Sequence, residues 1–437
     1  MHAQWIKNPS LADDGRRRIG MAESLMPVLR IIRQRYADEK PLKGVTVAAC
    51  LHVTKETAVL IRTLKDGGAT VVVSASNPLS TQDEVAAALA SEGFPVYAYR
   101  GMSSDDYYRA IGASLSHRPQ ITVDDGADLV TSLHKVCLKR LDDAASTVAR
   151  VLGDSASEIL RGVWGGTEET TTGVIRIKSL EAEGLLAYPI IAVNDARCKS
   201  LFDNPLGTGQ STIDGMLRST NILLAGKNIV VCGYGRVGSG IAERARGMGG
   251  RVTIVEPDPI KALQAYMNGY NVTTMLKAAE YGEIFITATG NIRVIRREHF
   301  ERMRDGAILA NAGHMDVEID KAGLARLATS VESPRAGVTV YRLSDGRRIM
   351  LLGEGRLVNL VCGEGHPSEV MDLSFSIQAE SIRYIAERHA ELEKRVYQVP
   401  AEVDIRVAHL KLRSIGVEIE ELTEEQKAYV RSWAYGT

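Results

Sequence analysis

Apolar residues early in the chain recur at helical spacing. Met21, Leu25, Val28, Leu29 and Ile32 in MAESLMPVLRIIRQRYA predict one amphipathic helix over 21–37. The rhythm then changes. VTVAACL (45–51), TVVVSAS (70–76), PVYAYR (95–100) and QITVDDG (120–126) are short apolar runs rich in β-branched residues, the pattern of strands buried on both faces. Helical stretches such as TKETAVLIRTLKDGG lie between them, so this part predicts a parallel sheet with crossover helices. A second series starts after Lys227 with NIVVCGYGRVGSGIAERARGMG, RVTIVEPD, EIFITATG and GAILANAGH. The fold class is therefore α/β, with two doubly wound parallel sheets in succession. Beyond Gly365 the chain returns to helix (DLSFSIQAESIRYIAERHAELEKR) and ends in a charged segment, EIEELTEEQKAYVRSWAYGT.

Composition excludes several functions. With 437 residues the chain exceeds one ordinary domain, and 53 basic against 54 acidic residues leave no field to attract nucleic acid or a membrane surface. No apolar run approaches a membrane span, and MHAQWIKNPS lacks the regions of a signal peptide, so a cytoplasmic location is expected. Cys50, Cys137, Cys198, Cys232 and Cys362 are scattered without a CxxC pair, which predicts reduced packing residues and no metal site.

The chemistry begins at CGYGRVGSG. Gly233, Gly235 and Gly238 follow the strand NIVVC and open a helix, the arrangement in which backbone approaches a pyrophosphate at a helix N-terminus. Glu256 ends the next strand, where a carboxylate accepts hydrogen bonds from ribose hydroxyls and repels a 2′-phosphate, so NAD is expected rather than NADP.

Polar residues cluster at strand ends of the first series. His52 follows VTVAACL, and Asp124 and Asp125 end ITV; a carboxylate there serves equally as a general base or as a helix cap. WGGTEETTTG concentrates two acids and four hydroxyls, more than one capped helix start uses. Lys199 and Asp203 share one face if helical, and the plain reading of that pair is a surface ion pair. For His314 the plain reading is a core histidine.

Taken together, LHVTKETAVL, NPLSTQD, VDDGADL, TEETTTG, VNDARCKSLFDN, GYGRVGSG, EPDPIKALQAYMNGY, NAGHMDVEID, GRLVNL and GHPSEVM resemble the S-adenosylhomocysteine hydrolase family, in the family's order. The resemblance implies a cofactor domain inserted into a substrate domain: residues 1–204 first, 205–365 as the NAD domain, 366–398 returning, and 399–437 as an oligomerisation tail. Hinges are implied near 194–209 and 365–367. The implied reaction oxidises the substrate's 3′-hydroxyl, removes the C4′ proton, eliminates homocysteine, adds water and reduces C3′ again, with one tightly held NAD per subunit and no net oxidation.

Implied roles follow position by position. Lys199 and Glu169 address the 3′-hydroxyl, with Lys199 the expected proton acceptor once burial lowers its pKa, and Asp203 orients it. Asp125 is the base at C4′, while His52 and His314 serve the leaving thiolate and the water. Thr54, Glu56, Thr57, Thr170, His366 and Met371 complete the substrate site. NAD is implied to contact Thr170, Thr171, Thr172, Asn204, Gly233, Gly235, Val237, Gly238, Glu256, Asn291, Ala312, Gly313, His314, Asn359 and His366. A homotetramer is implied, with a small-molecule substrate and neither nucleic acid nor membrane as partner.

Some positions depart from the pattern. Thr208 replaces a usual cysteine, Glu364 a frequent methionine, and Lys261 a neutral residue near the NAD ribose; SWAYGT stands where many members carry a basic, tyrosine-bearing tail. A variant acting on S-inosylhomocysteine is the alternative substrate reading, with Thr54 and Glu56 favouring adenine. An NAD-binding regulatory relative without turnover should lack a catalytic residue, and none of the six is missing. An ordinary dehydrogenase would accumulate free NADH.

Overall fold

The computed structural model describes residues 5–434, so the first four residues and the terminal Tyr435, Gly436 and Thr437 lie outside it. The N-terminal apolar pattern resolves into two helices, Ala12–Ser24 and Pro27–Glu39, instead of one. Pro27 cannot continue a helix but suits a first turn, so the chain breaks at Leu25 and Met26 and restarts. Val28, Leu29, Ile32 and Tyr36 are buried, whereas Met21 and Leu25, counted as core in the single-helix pattern, are exposed.

The first sheet has seven strands, all parallel, in the order Val396–Gln398, Ile190–Ala192, Gly165–Glu168, Ile121–Asp124, Thr46–Leu51, Thr70–Ala75 and Val96–Tyr97. PVYAYR contributes only two residues to it. The edge strand Val396–Gln398 arrives from the far end of the sequence, after the long helix Ser368–Arg388 has packed against the helices at 27–39 and 55–66. The first core is thus built from both ends of the chain. The helix Ala401–Ser414 packs there too: the N–H groups of Arg197 and Cys198 donate to Asp404 at 2.6 and 2.7 Å.

The second sheet has eight strands, and in it Asn228–Cys232 is flanked by Arg251–Val255 and Ile284–Thr287. Its parallel part continues through Ala307–Asn311 to Arg348–Leu352. Beyond that, Val338–Leu343 and Ala328–Arg335 pair antiparallel, so this doubly wound sheet carries a mixed edge that the strand pattern did not mark. The outer strand Ala328–Arg335 is almost wholly exposed and its apolar signal is correspondingly weak. Among the described residues no helix is long and apolar enough to cross a membrane.

Candidate active site

Three strands of the first sheet deliver functional side chains from their C-terminal ends: His52 after Thr46–Leu51, Asp125 after Ile121–Asp124, and Glu169 with Thr170 after Gly165–Glu168. In an open α/β sheet this is the edge at which ligands sit. Facing it across the gap are Val237, Ala312, His314, Leu357, Asn359 and Leu360 from the second half. Between them lies a cavity of about 140 Å³ whose wall also includes Thr54, Glu56, Thr57, His366 and Met371.

One cluster is cationic at its centre. Lys199 is buried, with its Nζ 3.1 Å from Asp203 and 3.8 Å from Glu169, and it donates to Asn204 Oδ1 at 2.9 Å. The surface-pair reading of Lys199 and Asp203 therefore fails, because both side chains are buried in the cavity wall. Burial alone would lower the Lys199 pKa, but Asp203 and Glu169 outweigh it and the net shift is upward. The expected lowering of the lysine pKa is corrected accordingly. Burial opposes the Asp203 charge as well, yet Lys199 and His366 hold this carboxyl well below its usual range. Glu169 goes the other way: burial pushes it up to about 8 despite Lys199. Gln378 donates to its Oε2 at 2.6 Å, while Oε1 is buried with no hydrogen bond and only the Lys199 ammonium 3.8 Å away, an atom suited to a ligand hydroxyl.

The second cluster is imidazole and carboxylate. His52 Nδ1 pairs with Ser80 Oγ at 2.7 Å, which turns Nε2 to within 3.5 Å of Asp125 Oδ2, and His314 Nδ1 lies 3.6 Å from Asp125 Oδ1. Burial lowers His52 to about 4, so its imidazole is neutral at rest. Ligand-type atoms of these three residues lie within 4.8 Å of one another, a spacing a metal ion could use, although the sequence predicts no metal. Gly126 adopts φ +105°, and a Cβ there would lie 2.2 Å from His314 Nε2, so the turn needs glycine to admit the histidine.

The two adjacent aspartates divide the roles that spacing left open. Asp124 is fully buried and accepts from the N–H groups of Asp125 and Val130 at 3.0 and 2.9 Å, while Asp125 faces the cavity. Glu168, which the residue pattern did not single out, accepts from Gly126 N–H at 2.8 Å and Thr170 N–H at 2.9 Å. It thereby fixes the loops that carry Asp125 and Glu169. Burial raises Asp124 to about 7 and Glu168 well above the usual carboxyl range.

Asp124 and Glu169 keep protons in the fold that an unfolded chain has already lost above 3.8 and 4.5, so their contribution to stability is complete below those values. It disappears as pH rises through about 7 and about 8. These two groups should therefore lower the thermal midpoint as pH rises from about 4 to about 8, with no further fall above that, and Glu169→Gln should flatten the upper part of the decline. An unchanged pH slope in that variant would contradict the assignment.

Beside this cavity runs a cleft of about 570 Å³, lined by Thr170, Thr171, Thr172, Asn204, Gly235, Val237, Ala312, Gly313 and His314. Thr170 begins a helix without capping it through its side chain, and Thr171 Oγ1 donates to Asn194 Oδ1 at 3.1 Å on the cleft wall. The residues fit a dinucleotide: a Cβ on Gly238 would lie 2.0 Å from Gly233 O, so only glycine lets the helix start so close to the strand. Glu256, at the next strand's end, accepts from the N–H groups of Tyr234 and Asp258 at 2.6 and 2.9 Å. Asn359 has a buried Oδ1 without a partner. Asn291 is not brought in; it is exposed, and its Oδ1 accepts from Ile292 N–H at 2.8 Å. Gly238→Ala should give folded protein that retains at least tenfold less dinucleotide, measured by release on denaturation; full retention would refute the fit.

The family model of S-adenosyl-L-homocysteine hydrolase matches residues 3–436. The chain belongs to this hydrolase family. A protein of Pyrobaculum aerophilum named adenosylhomocysteinase is 57% identical over 434 residues, 99% of each chain. Namesakes from Pyrococcus abyssi and Aquifex aeolicus are 54% and 55% identical, covering 99% of this chain and 98% and 99% of theirs. As a member of the hydrolase family, the chain has a small-molecule substrate, and its second sheet suits a nucleotide cofactor. Sequence reasoning missed Asn194, Ser374 and Gln378, which touch the Lys199 cluster. The last two sit four apart in SFSIQAE, and polar residues on one face of an otherwise apolar helical stretch were the available signal.

Proposed function

We propose that the protein catalyses the reversible hydrolysis of S-adenosyl-L-homocysteine to adenosine and L-homocysteine, using NAD held one per subunit. The reading rests chiefly on one observation: the Lys199 cluster and the His52, Asp125 and His314 cluster share one buried cavity that opens towards the dinucleotide cleft. NAD would be held by Thr170 to Thr172, the loop glycines, Glu256 and Asn359, and supplies a hydride acceptor for the 3′-alcohol that is regenerated at the end of turnover.

The chain's own residues then have separate tasks. Glu169 Oε1 and Lys199 Nζ hold the 3′-hydroxyl, and the Glu169 carboxylate, in its ionised form, takes its proton. Because Lys199 rests as an ammonium and Asp203 as a carboxylate, Glu169 is the member closest to changing charge near neutrality. Asp125 removes the C4′ proton, which a 3′-ketone acidifies. His52, neutral at rest, and His314 exchange protons with the leaving sulfur and the incoming water. Burial of these groups keeps water from the reactive enone.

The working division is a substrate part over 1–204 and 366–398, a cofactor part over 205–365 and a tail over 399–437. The exposed apolar residues Ile415, Val417, Ile419, Leu422 and Val430 suit that tail to contacts in a homotetramer. Such an enzyme works in the cytoplasm. Incubating NAD-loaded protein with S-adenosylhomocysteine should release adenosine and homocysteine in equal amounts without free NADH. Absence of both products would end this reading.

A further inference from the structure

Glu364 occupies the segment on which the chain returns from the cofactor half, and three cations converge on it. Lys55 Nζ lies 3.0 Å and Arg18 2.9 Å from its Oε2, and Arg218 lies 3.4 Å from its Oε1. These residues come from three helices, Ala12–Ser24, Lys55–Asp66 and Thr208–Thr220, in both halves of the molecule. An isolated surface ion pair contributes little, but a shared carboxylate with a mostly buried lysine (13% side-chain exposure) restrains that lysine's position.

Lys55 matters because of its other neighbour. Its Nζ is also 3.2 Å from Oε1 of Glu56, a buried residue in the cavity wall, and Ser368 Oγ donates to the same oxygen at 2.6 Å. Both contacts fall on Oε1. The other oxygen remains an acceptor for a ligand, and an acceptor selects an N–H donor.

We propose that Glu364 sets the purine preference of the cavity by anchoring Lys55, so that Glu56 meets the base as an acceptor and favours a 6-amino over a 6-oxo purine. This rests on the cavity binding a purine nucleoside thioether. A 6-oxo group places an acceptor oxygen against Glu56 and needs a donor to offset it. Lys55 has that donor, but Glu364 holds its ammonium. Removing the Glu364 charge releases an N–H and lets Lys55 serve the oxo group. Glu364 is thus a positioning residue that acts through Lys55.

The test compares kcat/KM for S-adenosylhomocysteine and S-inosylhomocysteine in the NAD-loaded wild type, Glu364→Gln, and the double variant Glu364→Gln with Lys55→Met. Wild type should prefer the amino substrate. Glu364→Gln should narrow that preference about tenfold or more, the range of one charge-assisted hydrogen bond, mainly through a lower KM for the oxo substrate. The double variant should recover discrimination, because no ammonium remains to donate. An unchanged preference in Glu364→Gln, or equal losses on both substrates, would overturn the proposal while leaving the hydrolase reading intact. A wild type that cleaves neither substrate removes the hydrolase reading, and this proposal with it.

Discussion

Asp125→Asn is expected to lower turnover by roughly 10³-fold while the protein stays folded and still oxidises its substrate at C3′. Asp125 lies between His52 and His314, 3.5 and 3.6 Å from their ring nitrogens, and asparagine preserves its shape while removing its basicity. The same carboxylate raises the pKa of Glu168 by repulsion, so its neutralisation should leave the thermal midpoint unchanged or slightly higher. Loss of activity would then not reflect loss of fold. Mixed with adenosine, the NAD-loaded variant should accumulate reduced cofactor, seen by its near-ultraviolet absorbance, because oxidation proceeds and C4′ deprotonation does not. Wild-type turnover would remove Asp125 from the role of base.

Lys199→Met should act on both stability and chemistry. Lys199 supplies the positive charge that keeps Asp203 ionised in a buried site, and its loss leaves that carboxylate without its strongest partner. Breaking one side of a buried pair costs about 3–5 kcal/mol, to be read from denaturant unfolding. Activity should fall below detection, since no group then balances the 3′-oxygen. Adding Asp203→Asn should restore much of the stability and none of the activity, because neutralising both partners removes the unpaired charge. If the double variant were no more stable than Lys199→Met, the ion pair would not be the source of the loss. Lysine to arginine should not rescue, as a planar guanidinium cannot replace a compact ammonium between Asp203, Glu169 and Asn204.

Particular residues show how far the chain could be read without its structure. The βα alternation was legible because buried parallel strands are short and uniformly apolar, and most of the predicted runs match observed strands. The helix over 21–37 was misread because Met21 and Leu25, exposed at the end of the first helix, fall at helical spacing from the core residues Val28, Leu29 and Ile32 of the next. The exposed edge strand Ala328–Arg335 carried too little apolar signal. In the site, His52 and Asp125 were visible at strand ends, whereas Glu168 was hidden beside Glu169, since backbone acceptance leaves no mark on sequence.

By itself the sequence determined the two-sheet α/β class, the glycine loop and the family, because each is written in local order and spacing. Only the tertiary structure decided which charges stand together. Lys199, Asp203, Glu169 and Gln378 meet although up to 209 residues separate them, and Glu364 reaches Lys55 across 309. Protonation follows from burial and from neighbours a few ångströms away. That is why Lys199 keeps its proton, Glu169 tends to keep one, and Asp203 does not.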